Sequence, residues 1–195
     1  TDAAAAAPER ARDTAPRRVH NGKRTTSDER RRRLDPLGAE HAVNAARTVD
    51  GDVEAEHLGP VNYHEHLFQA TPLLPDDDLD DEPASQREAV RLRDSGFATM
   101  VDATPLGLGR RPEAIARIAR ASSLRIVATT GAHRDEHYPH DHWIRDLSEA
   151  HLAERFIADI ASGMDATAVR AGMLKLGIGY WRISTFEHRV IAAVG

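Results

Sequence analysis

The chain contains no cysteine, which excludes disulfide bonds, thiolate metal sites and cysteine nucleophiles together. It also lacks an apolar run that could cross a bilayer, which takes about 20 residues. The opening residues, TDAAAAAPERARD, have no apolar centre of the kind that a secretory signal peptide needs. The chain begins at Thr1 rather than Met, as a processed or incomplete sequence would. These absences favour a cytoplasmic protein without a membrane partner.

The composition supports one domain with a real core, because 41% of the 195 residues are hydrophobic. The net charge of −5 argues against general affinity for nucleic acid. The charge is unevenly spread, since residues 1–46 hold ten Lys and Arg against seven Asp and Glu. These residues include few large apolar side chains, so a disordered Arg/Ala/Pro-rich tail is expected. The run Arg30–Arg33 could contact nucleic acid, but a solvated tail is the preferred interpretation.

From Arg47 onward, short apolar segments alternate with amphipathic ones. This pattern predicts strands at 61–66, 99–103, 125–130 and 172–176, and helices at 85–95, 112–122, 148–162 and from 184 onward. Four βα units in a row predict a parallel sheet with crossover helices. The expected fold class is therefore α/β, either a small doubly wound domain or half of an eight-unit barrel.

Several local signals set the predicted ends of these elements. Ser85 with Glu88, and Ser184 with Glu187, have the spacing of capping boxes at helix starts. Gly96 is expected to end the first helix, and Gly131 to close the third strand. In the third helix one apolar stripe is predicted to face the core, formed by Leu152, Phe156, Ile157 and Ile160.

Chemistry-bearing residues fall at the carboxyl ends of the predicted strands, where both architectures place function: His64, His66, Asp102, Thr104, His133 and Lys175. His64 and His66 lie two positions apart, so a strand points both imidazoles to one face and Glu65 to the other. Two converging neutral imidazoles can hold Zn²⁺ or a related metal. From the residues alone, metal ligands and ordinary strand-end histidines are equally good interpretations.

The other strand-end residues also allow two interpretations each. Lys175 in GMLKL either extends to water, which periodicity alone favours, or has a lowered pKa and takes up CO₂ as a carbamate. Asp102 is either a pocket carboxylate or, as we prefer, an acceptor of backbone hydrogen bonds. His133 begins a histidine-rich loop that would face the pocket. Residues 107–110, GLGR, are too short for a nucleotide-binding fingerprint and are interpreted as a turn.

Four segments in order resemble the phosphotriesterase family of the amidohydrolase superfamily, which includes phosphotriesterase-like lactonases: RTVDGDVEAEHLGPVNYHEHLF, SGFATMVDATPLGLGR, LRIVATTG and RAGMLKLGIGYWRISTFEHRVIAAV. Together they cover about Arg47 to Val194. The resemblance implies that residues 47–195 are the first four βα units of a TIM (β/α)₈ barrel, an incomplete one.

The resemblance also implies two divalent metals, with Zn²⁺ as the first choice. His64 and His66 would bind the more buried metal, and a carboxylated Lys175 would bridge both. The family's remaining ligands, including the aspartate that accepts the proton, belong to strands five, six and eight. No catalytic residue beyond the metal ligands is therefore expected here. His133 stands where relatives often carry an aromatic residue, so it and Asp102 are candidates for the substrate pocket.

The resemblance implies hydrolysis of a small-molecule ester, lactone or phosphotriester by a metal-activated hydroxide. Because the sequence ends in the helix after the fourth strand, a truncated chain is expected, which leaves its own activity open. One alternative is a non-catalytic half-barrel that binds a partner or self-associates through exposed edges. A second alternative is a nucleic-acid-associated protein that acts through the basic tail.

Overall fold

The computed structural model describes residues 44–195. An antiparallel hairpin of Ala45–Thr48 (β1) and Gly51–Glu54 (β2) comes first. The main sheet then has four strands, Val61–Glu65 (β3), Thr99–Asp102 (β4), Arg125–Ala132 (β5) and Met173–Leu176 (β6). Each is followed by a helix, in turn Glu82–Asp94 (α1), Pro112–Ser122 (α2), Glu149–Ala161 (α3) and Thr185–Val194 (α4).

The four main strands are parallel and lie side by side in chain order, β3-β4-β5-β6. Every connection between neighbours passes through a helix, as a parallel sheet requires. All four carboxyl ends therefore meet at one edge of the sheet. The predicted α/β class and the order of the βα units are confirmed. None of the helices in residues 44–195 has the length and apolar character that a bilayer crossing needs.

The core consists of two main clusters of buried side chains between the helices and the sheet. One lies beneath α1 and α2 and includes Phe68, Met100, Ile118 and Ile126. The other lies beneath α3 and α4 and includes Leu106, Ile144, Leu152, Phe156 and Val190. Both clusters pack the helices against the strands, which keeps the carboxyl edge in place.

The predicted start of the first helix is wrong. The helix begins at Glu82, and Asp81 caps it by accepting a hydrogen bond from the Ala84 amide at 3.0 Å. Ser85 is buried inside the helix, and its hydroxyl donates to the Leu67 carbonyl at 2.6 Å instead of capping. The aspartate cap and the proline in the first turn determine the start of the helix in place of Ser85. The aspartate accepts a hydrogen bond from a free amide of the first turn, and the proline has no amide hydrogen that would need a partner.

Two other predictions about ends and faces are wrong. β5 continues through Gly131 to Ala132, so this glycine does not close the strand. Ile157 lies 63% exposed, whereas Leu152 and Phe156 of the same predicted stripe are buried. The hairpin β1–β2, whose two-residue loop is Val49 and Asp50, was not predicted.

The remaining helix signals are confirmed. α2 has the predicted bounds with proline in its first turn. α1 ends at Asp94, and its C-cap residue Ser95 stands directly before Gly96. Ser184 and Glu187 form both hydrogen bonds of the predicted capping box. The predicted tail, residues 1–46, lies outside the described residues apart from 44–46, of which Ala45 and Ala46 belong to β1.

Candidate metal centre and substrate pocket

The end of β3 brings two imidazoles together. β3 pairs with β4 through Asn62 and Met100 and then through Glu65 and Asp102, so β3 has one extra residue in between. Such a bulge redirects side chains locally. The ring centroids of His64 and His66 lie 5.2 Å apart, with their planes at 72°. The two imidazoles therefore share one side of the strand end.

His66 is held by the segment that follows β4. Its Nδ1 lies 2.8 Å from the Thr104 hydroxyl oxygen. Burial, with the charge of Lys175 and the neighbouring His64 and His137, lowers the pKa of His66 to about 4. The ring is therefore neutral at pH 7, which is the form that coordinates metals.

Lys175 extends from the far strand into the same region. Its Nζ donates a hydrogen bond to the Ala103 carbonyl at 3.0 Å, so the side chain passes β5 to reach the end of β4. Burial lowers the pKa of Lys175, although the charge of Asp102 opposes this. The charge of Lys175 in turn lowers the pKa values of His66 and His133, so Lys175 lies near both histidines. This geometry favours the interpretation of a lysine with a lowered pKa.

The carboxylate of Asp102 accepts hydrogen bonds from backbone amides. Its two carboxylate oxygens accept hydrogen bonds from the amides of Thr104 at 3.0 Å and Leu67 at 3.3 Å. The residue is only 1% exposed, and burial raises the pKa of the carboxyl to about 6 against the effect of these bonds. Asp102 therefore joins the segments after β3 and β4 and does not line an open pocket.

His133 lies at the end of β5 against a second histidine. Its ring stacks on His137 with centroids 3.7 Å apart. Its Nδ1 accepts a hydrogen bond from the Arg134 amide at 2.7 Å, which places the proton of the neutral ring on Nε2. Burial, followed by the charge of Lys175, lowers the pKa of His133 to about 3. His137 is itself buried, with Nδ1 3.1 Å from the Thr71 hydroxyl.

The sequence model of the Phosphotriesterase family matches residues 44–195, which include all of these side chains. The chain belongs to the phosphotriesterase family. It is 29% identical to a phospho-furanose lactonase of Mycoplasmopsis agalactiae, over 74% of this chain and 46% of the relative. It is 30% identical to an aryldialkylphosphatase of Saccharolobus solfataricus, over 72% of this chain and 46% of the relative.

Solved structures of the phosphotriesterase family share the fold. A lactonase from Listeria monocytogenes superposes with a TM-score of 0.69 and 28% identity, covering 77% of this chain and 52% of that one. The four βα units described above therefore form half of a TIM-type barrel. The chain spans about half the length of the curated relatives it matches.

The side chains present fit part of the metal site that the phosphotriesterase family implies. The two imidazoles of His64 and His66 are suitable nitrogen donors that lie together. Within residues 44–195, no three His, Asp or Glu side chains converge on a point that could hold a metal ion. A third donor from these residues would have to be Lys175, which becomes an anionic oxygen ligand only as a carbamate.

Two residues of this region were not singled out by the sequence as partners of the site. Thr104 contacts His66, and His137 stacks on His133. The sequence already placed Thr104 at a strand end but gave it no role in the site. His137 belongs to the histidine-rich loop that was expected to face the pocket, but its stack on His133 depends on how that loop folds, through the short 3₁₀ turn Asp135–His137.

Proposed function

We propose that this chain provides one half of the active site of a metal-dependent hydrolase that cleaves a small-molecule ester, lactone or phosphotriester. The observation that carries the proposal is the meeting of His64, His66 and Lys175 at the carboxyl edge of the sheet. The relatives support the substrate class, since one is named a lactonase and another an aryldialkylphosphatase.

His64 and His66 would hold one divalent metal, with Zn²⁺ as the first choice, and a carboxylated Lys175 would join it to a second. Burial supports this role for Lys175, because a lowered pKa increases the fraction of neutral amine, the form that adds CO₂. A metal bound there would supply Lewis-acid chemistry, polarising a carbonyl or phosphoryl oxygen and activating water. Imidazole and carboxylate-type ligands also suit Mn, Co and Fe.

His133 would line the substrate pocket. Since its Nδ1 is occupied by the Arg134 amide, its Nε2–H is the group left to donate a hydrogen bond to a substrate oxygen. The stack on His137 would hold the ring in place. Asp102, with both oxygens on backbone amides, would act by joining two loops and not by contacting the substrate.

The remaining ligands and the proton acceptor that the family implies would come from βα units other than the four described. Hydrolysis is therefore proposed for this half together with a complementary half-barrel. The test measures bound metal, and the hydrolysis of an aryl ester, a lactone and a phosphotriester. It uses the chain alone and the chain co-expressed with the second half of a relative.

His64→Ala and Lys175→Met should each remove metal and turnover from the complemented protein. The matched control is His140→Ala, at an exposed histidine of the loop after β5. Labelled bicarbonate should give a carbamate NMR signal that Lys175→Met abolishes. A folded complex that hydrolyses these substrates equally well without His64 or Lys175 would contradict the proposal.

A non-catalytic half-barrel that self-associates is the second candidate function. Within the described residues, β3 and β6 are each paired on one side only. Both borders also expose large apolar side chains, with Tyr63 79% exposed on β3 and Trp181 100% exposed after β6. If this candidate is correct, sedimentation should show dimers of the chain, and these dimers should bind no metal and hydrolyse no substrate.

The cytoplasmic location and the role of the basic tail remain predictions from the sequence.

A further inference from the structure

The hydroxyl of Thr104 lies between a candidate metal ligand and a backbone carbonyl. Its oxygen is 2.8 Å from His66 Nδ1 and also 2.8 Å from the carbonyl oxygen of Phe68. A threonine hydroxyl has one proton, and a carbonyl oxygen has none. If that proton pointed at His66, two oxygens would face each other at 2.8 Å with no proton between them, which is repulsive. The hydroxyl therefore donates to Phe68.

We infer that Thr104 is a positioning residue that fixes His66 in one tautomer, with the ring proton on Nδ1 and the lone pair on Nε2. Because the hydroxyl donates to Phe68, it can meet His66 only as an acceptor, and Nδ1 must carry the hydrogen. The unprotonated Nε2 is then the nitrogen available to a divalent cation. The tautomer follows from hydrogen bonding alone, whereas its use for metal binding rests on the proposed function.

Thr104 is itself held on both sides. Its amide donates to a carboxylate oxygen of Asp102 at 3.0 Å, and the other oxygen of Asp102 accepts from the Leu67 amide at 3.3 Å. Thr104 and Asp102 are 2% and 1% exposed, so water does not compete for these contacts. Asp102 thus aligns Thr104, and Thr104 aligns His66.

A fixed tautomer has a measurable consequence for ligand binding. A free neutral imidazole divides its population between two tautomers, and only one presents Nε2 as a lone pair. Removing a partner that orients a ligating histidine typically lowers metal affinity by about 10–100-fold. Removing the Thr104 hydroxyl should therefore weaken the metal site without removing any of its ligands.

The first test reads the tautomer in the metal-free full chain by ¹⁵N NMR of the imidazole nitrogens at pH about 8, above the usual histidine pKa of about 6.5. The His66 signals are assigned by their loss in His66→Gln. The wild type and Thr104→Ser should show the proton on Nδ1, and Thr104→Val should shift the population towards Nε2–H.

The matched control is Thr129→Val, the same substitution at a neighbouring strand. The Thr129 hydroxyl is buried and has no hydrogen-bond partner among the described residues, so its loss should leave the His66 tautomer unchanged. A wild-type His66 protonated mainly on Nε2 would overturn the inference, whether or not Thr104→Val folds. An equal response to the Thr104 and Thr129 variants would overturn it as well.

The second test titrates the same variants with Zn²⁺ or Co²⁺ alone. Thr104→Val should bind about 10–100-fold more weakly than the wild type, with recovery in Thr104→Ser. Unchanged affinity in Thr104→Val would overturn the role in metal binding. If the wild type shows the expected tautomer but neither it nor the complemented protein binds metal, the positioning by Thr104 is upheld, and the proposed hydrolase function fails.

Discussion

Gly131 and Lys175 are paired across the ladder between β5 and β6 so closely that no side chain fits at position 131. A Cβ built there would collide with the carbonyl oxygen of Lys175, and Gly131 has φ +94°. The glycine lets the backbone of β6 approach the end of β5. That approach is what brings the Lys175 side chain within reach of Ala103 and the site.

Gly131→Ala should therefore destabilise the protein by more than about 1 kcal/mol, because the substitution adds a collision to an unfavourable backbone angle. Urea unfolding measures the change. Gly96→Ala is the control, since Gly96 also has a positive φ, of +106°, but open space where its Cβ would lie. Equal losses in the two variants would show that the collision with Lys175 contributes nothing.

Arg110 forms a buried ion pair whose removal should be costly. The guanidinium lies 2.8 Å from Asp159 and 2.9 Å from Asp165, and the Arg110 and Asp159 side chains are only 3% and 1% exposed. Arg110→Leu leaves Asp159 as a buried charge without this partner, which should cost about 3–5 kcal/mol. Chemical denaturation measures the loss.

The control for Arg110 is the exposed pair of Arg117 and Glu82. Because solvent screens that pair, Arg117→Leu should cost only about 0–1 kcal/mol. Similar losses in Arg110→Leu and Arg117→Leu would contradict the assignment of a buried network around Asp159.

Asp165 should make stability depend on pH in the acid range. Burial pulls its pKa upward, but the hydrogen bonds and charges of Arg110 and Arg155 together outweigh burial and hold the pKa below its usual value. Since the unfolded chain then binds the proton first, this stabilisation is full above the unfolded pKa of about 3.9 and is lost as the pH falls towards the folded value.

Asp165→Asn isolates this contribution, because asparagine tolerates the positive φ of 50° at this position. The wild type should be more stable than Asp165→Asn at neutral pH, and the difference should shrink below pH about 4. Urea unfolding at a series of pH values measures it. A difference that is constant with pH would contradict the lowered pKa.

Glu187 should contribute more to the free energy of unfolding than a helix cap alone does. Its carboxylate accepts hydrogen bonds from the amides of Asp135 at 3.1 Å, Gly179 at 3.0 Å and Ser184 at 2.8 Å, and the residue is 2% exposed. Ser184→Ala removes the cap alone and should cost about 0.5–2 kcal/mol. Glu187→Ala leaves these three part-buried amides without their acceptor, at up to about 1–3 kcal/mol for each group that stays unsatisfied.

Urea unfolding compares the two variants, and hydrogen exchange should become faster at Asp135 and Gly179 in Glu187→Ala alone. Glu149→Ala, at an exposed glutamate in the first turn of α3, is the control and should change little. If Glu187→Ala costs no more than Ser184→Ala, the two loop contacts do not contribute to stability.

Much of the secondary structure could be predicted because its signals are local. Pro112 in a first turn and the amphipathic pattern after it define α2, and the pair Ser184 and Glu187 defines the start of α4. These interactions join residues three or four positions apart in a helix. They do not depend on the rest of the fold.

Two of the wrong predictions, those for Ser85 and Gly131, share one physical cause, which is a contact with a residue distant in sequence. Ser85 has the spacing of a cap, but the Leu67 carbonyl accepts its hydroxyl proton and Asp81 caps the helix. Gly131 has the appearance of a strand end, but it is the point where the backbone of Lys175 passes. In both cases the local pattern was correctly observed, and a tertiary contact decided its use.

The sequence by itself determined which residue types stand at the strand ends and the family to which they belong, since both are properties of short, ordered segments. Only the tertiary structure decided which of them meet. His66 and Thr104 are 38 residues apart in the chain, and Lys175 and Ala103 are 72 apart. Their contacts form because parallel strands bring their carboxyl ends to one edge. The tautomer of His66 and the pKa of Lys175 depend on burial and partners at that edge, which no local pattern encodes.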